Sequence, residues 1–213
     1  MQRILGLGVL TICVMLGQVM TTAAQAPERE SKTAGAKAAT EVPLPKEESS
    51  VTDHSIRIGG QMIPYKATAG TILLKDENSD VTASVFYIAY NRSDTKELSQ
   101  RPLAFLYNGG PGSSSAWCHM GAFGPRRVVT TDADATPPAP YRIEDNANSP
   151  LDKADLVFID PVGTGFSHAA GKAKDKDFWG VDEDVESLAQ FIRTYVSRND
   201  RWNSPKFLIG ESY

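Results

Sequence analysis

The sequence predicts an α/β fold with a mostly parallel central sheet and antiparallel strands on its N-terminal side. Three observations carry this. First, Leu103-Ala104-Phe105-Leu106-Tyr107, Asp155-Leu156-Val157-Phe158-Ile159-Asp160 and Lys206-Phe207-Leu208-Ile209 are short, mostly apolar runs, as expected of strands covered on both faces. Second, Val181, Val185, Leu188, Ile192 and Tyr195 recur at helical spacing between the last two runs, with Phe191 and Val196 alongside. Strand, helix, strand is the rhythm of a parallel crossover unit. Third, residues 55–58 alternate and residues 81–90 are β-branched and aromatic, a composition suited to antiparallel strands at one edge.

Taken in order, the chain opens with a leader. Arg3 provides a positive start, residues 4–19 are mostly apolar, and Thr22-Ala23-Ala24 offers a small-residue cleavage site, so residues 1–24 read as a signal peptide. Cys13 follows the bulky Ile12, which does not suit a lipid-anchoring site. Residues 25–50 are rich in Ala, Glu, Lys, Pro, Ser and Thr and nearly free of large apolar side chains, so they read as a disordered linker. The domain is expected over residues 51–213. Gly59-Gly60 is placed as a hairpin turn, residues 63–74 continue in short apolar pieces, and residues 91–100 form a polar loop. Asp182, Glu183 and Asp184 crowd the first turn of the predicted helix, where the helix dipole favours negative charge.

Composition excludes several functions. A net charge of −4 gives no basic footprint, so no nucleic-acid partner is expected. Removal of the leader would leave Cys118 as the sole cysteine, with no disulfide available in residues 25–213. His54, His119 and His168 are scattered without metal-ligand spacing, so no metal is expected and all three read as structural or surface residues. Gly163-Thr164-Gly165 lacks the third glycine that opens a helix in a dinucleotide loop. No Lys-Ser or Lys-Thr follows the glycines at 109–112, and Pro111 removes an N–H donor, so a phosphate loop fails as well. No cofactor is expected. The leader points to export, to the periplasm or the medium, with no stable membrane partner after cleavage.

Two motifs carry chemistry. Gly210-Glu211-Ser212-Tyr213 supplies four of the five positions of Gly-x-Ser-x-Gly, the elbow that lifts a nucleophilic serine above a sheet, directly after a predicted strand. Asn108-Gly109-Gly110-Pro111-Gly112-Ser113-Ser114-Ser115 also follows a strand. Its glycines permit conformations and close approaches closed to other residues, as in loops that present an N–H to an oxyanion.

Together with Gly124-Pro125 and Pro161-Val162-Gly163-Thr164-Gly165-Phe166-Ser167, these motifs resemble the serine carboxypeptidase family in order and spacing over residues 101–213. The triple serine and the single mature cysteine resemble its bacterial branch. The resemblance implies an α/β-hydrolase fold and a peptidase that releases C-terminal residues from peptide substrates through an acyl-enzyme on Ser212. It implies an oxyanion hole from the N–H groups of Gly110 and Tyr213, and a hold on the substrate carboxylate by Asn108, Gly109 and Glu211. A glutamate beside the nucleophile joins that hold when protonated, which favours acidic pH. The sequence departs from the family at Ala122, where a second carboxylate-binding glutamate is expected; Arg126 or Arg127 offers a cationic alternative.

In this fold the acid and histidine partners follow the serine, so they are expected past Tyr213. With 213 residues, the fold is expected to be incomplete at its C-terminus and the chain inactive alone. Two alternatives stand beside this reading. One is a related hydrolase on the same scaffold, a proline iminopeptidase or an esterase, although aminopeptidases of that kind carry histidine where Asn108 stands. The other is a non-catalytic truncated or binding fragment.

Overall fold

The β-branched N-terminal region forms three long strands, β1 (Ser49–Ile58), β2 (Gln61–Lys75) and β3 (Val81–Arg92). The computed structural model describes residues 43–130 and 138–212, so the predicted leader, residues 25–42 of the linker, and Tyr213 lie outside the described residues. β1 and β2 are joined at Gly59 and Gly60, whose φ values of 55° and 81° are those of a type I′ hairpin turn. After these come β4 (Leu103–Asn108), β5 (Arg126–Val128), β6 (Ile143–Asp145), β7 (Asp155–Ile159), β8 (His168–Ala169), α1 (Val181–Arg198) and β9 (Lys206–Glu211).

Seven strands form one mixed sheet in the order β1-β2-β3-β7-β4-β9, with β8 beside β3, while β5 and β6 make a separate ribbon. β7, β4 and β9 run parallel, and β1, β2 and β3 are antiparallel, with β3 also antiparallel to β7. Parallel pairing falls on the three apolar runs, as predicted, and β4 and β7 are buried on both faces, which calls for apolar residues at consecutive positions.

Alternation along β4 shows this directly. Leu103 and Phe105 join Val157, Ile159, Phe191, Tyr195 and Val196 on the α1 face, while Ala104 and Leu106 join Ile56, Ile63, Leu156 and Phe158 on the other. β9 departs from the buried strand expected there. Among the described residues it pairs with β4 alone, and Phe207 and Leu208 are 54% and 63% exposed. In α1 the buried stripe is Ser187, Phe191, Tyr195 and Val196, whereas Val181 and Val185 remain exposed.

The linker boundary also moves. Ser49 and Ser50, assigned to the tether by composition, open β1, and Glu47 accepts from the Leu73 N–H at 2.8 Å and pairs with Arg198 at 2.8 Å. These long-range partners order residues 47–50, which have no apolar side chains of their own.

At the starts of the parallel strands a buried ion cluster replaces apolar packing. Asp155 accepts from Arg101 Nε at 2.7 Å, from Arg201 Nη1 at 2.6 Å and from the Arg92 N–H at 2.9 Å. Arg201 also donates to the Arg101 carbonyl and to Ser204 Oγ, so no buried charge lacks a partner here.

Candidate active site

The two motifs meet because of strand register. β4 and β9 are parallel neighbours, with Tyr107 opposite Gly210 and Asn108 opposite Glu211, so the loops leaving their carboxyl ends emerge side by side. Such crevices at strand carboxyl ends are where open α/β sheets bind ligands. Ser212 has φ 65°, a left-handed conformation that a non-glycine residue adopts under strain, as the elbow requires. A Cβ at Gly210 would lie 3.0 Å from the Tyr107 ring, which accounts for the first glycine of the elbow.

Asn108 is buried and its amide orientation is set by its partners. Oδ1 accepts from the Cys118 N–H at 2.9 Å, which leaves the Nδ2 group to donate to Glu211 Oε2 at 3.3 Å. A fixed donor beside the elbow therefore faces a carboxylate. Gly110 and Gly112 follow at φ 132° and 98°, and the turn is closed by the Ser113 N–H donating to the Gly109 carbonyl at 3.1 Å.

Ser115 anchors the far end of this loop. Its Oγ donates to the Ile159 carbonyl, its N–H donates to Asp160 Oδ1 at 2.8 Å, and the Asn108 N–H donates to Ser115 Oγ at 3.4 Å. Asp160 Oδ2 accepts from the Phe166 N–H at 3.2 Å, while Ser167 Oγ donates to the Asp160 carbonyl at 2.7 Å and accepts from the Phe86 N–H at 2.8 Å. Burial pushes the Asp160 carboxyl above its ordinary value, and the two N–H donors oppose that rise.

His119 sits beneath the loop. It is buried, shares a 2.6 Å hydrogen bond between Nε2 and the Tyr90 hydroxyl, and packs on Phe158 with ring centroids 4.7 Å apart. Burial holds its imidazole down at about 4. Its N–H donates to the Ser115 carbonyl at 2.9 Å, so its main chain is tied to the same anchor. Burial, with the Glu211 charge nearby, pushes the Cys118 thiol up and favours its protonated form.

The structure thus brings Asn108, Gly109, Gly110, Glu211 and Ser212 to one end of the sheet, while Tyr213 lies outside the described residues. His54 and His168 are engaged elsewhere, with Thr52 and with the Phe166 carbonyl. Arg126 and Arg127, offered as cationic substitutes near Ala122, are instead paired with Asp145 at 3.2 Å and Glu144 at 2.6 Å across β5 and β6. Sequence reasoning placed Ser115 and Ser167 in motifs and Asp160 at a strand end but missed the links among them. The available signal was an aspartate ending a fully covered strand just before a Pro-x-Gly turn, where a buried carboxylate needs donors.

Comparison with known proteins agrees with this geometry. Residues 60–213 match the family described as serine carboxypeptidase. The pheromone-processing carboxypeptidase KEX1 of Saccharomyces cerevisiae is 31% identical over 188 residues, covering 81% of this chain and 25% of that protein. The retinoid-inducible serine carboxypeptidase of Homo sapiens is 31% identical over 131 residues, covering 60% of this chain and 26% of that protein. The crystal structure of Kex1(delta)p, a prohormone-processing carboxypeptidase from Saccharomyces cerevisiae, superposes with a TM-score of 0.55 at 29% identity, over 70% of this chain and 31% of that one. The chain spans about a quarter of the length of these two curated relatives. With an α/β-hydrolase sheet, a strained serine at its elbow and a glycine-rich loop beside it, the chain belongs to the serine carboxypeptidase family.

Proposed function

We propose that this protein is an exported serine carboxypeptidase that releases C-terminal residues from peptides through an acyl-enzyme on Ser212. The observation that carries the reading is the Asn108 Nδ2 donor, held 3.3 Å from Glu211 Oε2 in the residues next to a serine at φ 65°. Ser212 attacks the scissile carbonyl, a histidine takes its proton, and water later releases the acyl group. The N–H groups of Gly110 and Tyr213 stabilise the oxyanion, each such donor being worth roughly 10²–10³-fold in rate. Asn108, Gly109 and Glu211 hold the terminal carboxylate of the substrate. Glu211 shares a hydrogen bond with that carboxylate only when one of the two carries a proton. Ala122 leaves the second acid of that hold unfilled, so the site rests on Asn108 and Glu211.

The N-terminal leader supports export to the periplasm or the medium, and no helix among the described residues is long and apolar enough to cross a membrane. The test uses the full natural protein. It is treated with a fluorophosphonate probe and assayed on a peptide with a free C-terminus and on its amidated twin. Expected results are one adduct on Ser212, stepwise release from the free peptide and none in Ser212→Ala. Equal cleavage of both peptides, or hydrolysis of simple esters alone, would replace the carboxypeptidase reading with that of a broader hydrolase. Absence of both adduct and turnover would remove the catalytic reading.

A further inference from the structure

We propose that Asp160 is the positioning residue of the oxyanion loop, setting the direction of the Gly110 N–H by pinning Ser115 from the end of β7; the catalytic consequence rests on the function proposed above. Asp160 is placed by the sheet, since it follows Ile159, the last residue of β7, and its own N–H donates to the Phe86 carbonyl of β3 at 3.1 Å. From there one carboxylate holds two loops, the Ser115 N–H at Oδ1 and the Phe166 N–H at Oδ2.

The loop that needs holding has glycines at its centre. Gly110 and Gly112 occupy positive φ, and glycine gains no local preference from a side chain, so their directions depend on how the ends are fixed. One end is fixed by pairing of Asn108 with β9, and the other by Ser115. Ser115 also closes the loop on itself, because its Oγ accepts from the Asn108 N–H while donating to the Ile159 carbonyl. Asn108 is held independently by its pairing with β9 and by the Cys118 N–H, so moving Ser115 moves Gly110 while Asn108 stays in place. The clamp leaves no slack: a Cβ at Gly165 would fall 2.0 Å from Asp160 Oδ2 and 2.9 Å from Ser114 Cβ, so both loops close directly onto the carboxylate.

Asparagine at 160 keeps the shape but turns one acceptor oxygen into a donor that faces an N–H, so one loop is released. The effect is on placement of the oxyanion donor, which acts in the transition state, rather than on ground-state binding. In the full natural protein, Asp160→Asn should lower kcat by about 10- to 100-fold with KM within about 2-fold of wild type. It should also raise amide hydrogen exchange of residues 109–115 at least about 10-fold while β4 and α1 keep their protection. Assays run well below the melting temperature of each variant remove general destabilisation from the comparison. Wild-type kcat in Asp160→Asn, or unchanged loop exchange, overturns the proposal, as does an equal loss in KM.

Should Asp160→Asn fail to fold, hydrogen exchange of the wild-type protein tests the same clamp through the two N–H groups donated to the carboxylate. The amides of Ser115 and Phe166 should exchange as slowly as those of β7, and exchange at the rate of open loop amides refutes the clamp. Hydrogen exchange is readable even if wild-type protein shows no turnover, which separates failure of the clamp from failure of the proposed function.

Discussion

Replacing His119 with glutamine should flatten the acid limb of the stability curve. His119 is buried against Phe158 and bonded to the Tyr90 hydroxyl, and burial lowers its pKa from 6.5 to about 4. The unfolded chain takes up the imidazole proton near pH 6.5, whereas the folded protein resists it until about pH 4. The unfolded state therefore binds more protons across that window, so this residue makes stability rise with pH and fall as pH drops from about 6.5 towards 4. Linkage gives a loss of about 2 kcal/mol between pH 8 and pH 5, rising to about 3 kcal/mol below pH 4. Asp160 and Asp184, both pushed up by burial, act in the opposite sense and offset part of the loss in each protein equally. Glutamine retains a partner for the Tyr90 hydroxyl without a titrating ring. Urea unfolding at pH 8, 6.5 and 5 should show wild type losing about 2 kcal/mol more than His119→Gln. Parallel pH profiles for the two proteins would refute the assignment of the acid limb to this buried ring.

Two further outcomes are expected from the strand ends. Asp155→Ala leaves the Arg101 and Arg201 guanidinium groups buried beside an empty partner site and should destabilise by about 3–5 kcal/mol, read as a large drop in melting temperature. Ser212→Gly should melt at a higher temperature than Ser212→Ala, by the equivalent of about 1 kcal/mol, because glycine accepts φ 65° without a Cβ penalty. An equal melting temperature for the two variants would mean that the elbow stores no strain at Ser212.

What the sequence reveals follows the range of the physics involved. β4 and β7 are legible because burial on both faces forces apolar residues at consecutive positions, and α1 because one face must be apolar at helical spacing. The elbow and the Asn108 loop are legible because their backbone geometry requires glycine at specified places, and Gly110, Gly112 and Gly210 meet that demand. Asp160, Arg201 and His119 were not legible in these roles. Each is one polar residue whose partner lies far along the chain, as Ser115 does for Asp160 and Asp155 for Arg201, and nothing local marks such a pair. The same range limits account for Ser49 and Ser50, ordered by pairing with Gly70 and Ala69 rather than by their own composition. β5, β6 and β8 are too short to impose a pattern at all.

The main chain around position 122 is held by bonds that do not involve the side chain there. Asn146 Nδ2 donates to the Ala122 carbonyl at 2.7 Å and to the Gly124 carbonyl at 2.9 Å, and Ser149 Oγ donates to the Phe123 carbonyl at 2.7 Å. The Gly124 N–H in turn donates to the His119 carbonyl at 2.9 Å, and a Cβ at Gly124 would lie 2.3 Å from that oxygen. These bonds reach main-chain atoms only, so the segment keeps its course whichever side chain stands at 122. Asn108 and Ser115 differ in kind, because their own side chains carry the bonds that position the loop. Side-chain change is thus cheap at 122 and expensive at 108 and 115. Side-chain diversity is expected where the main chain is held by others, and constancy where the side chain does the holding.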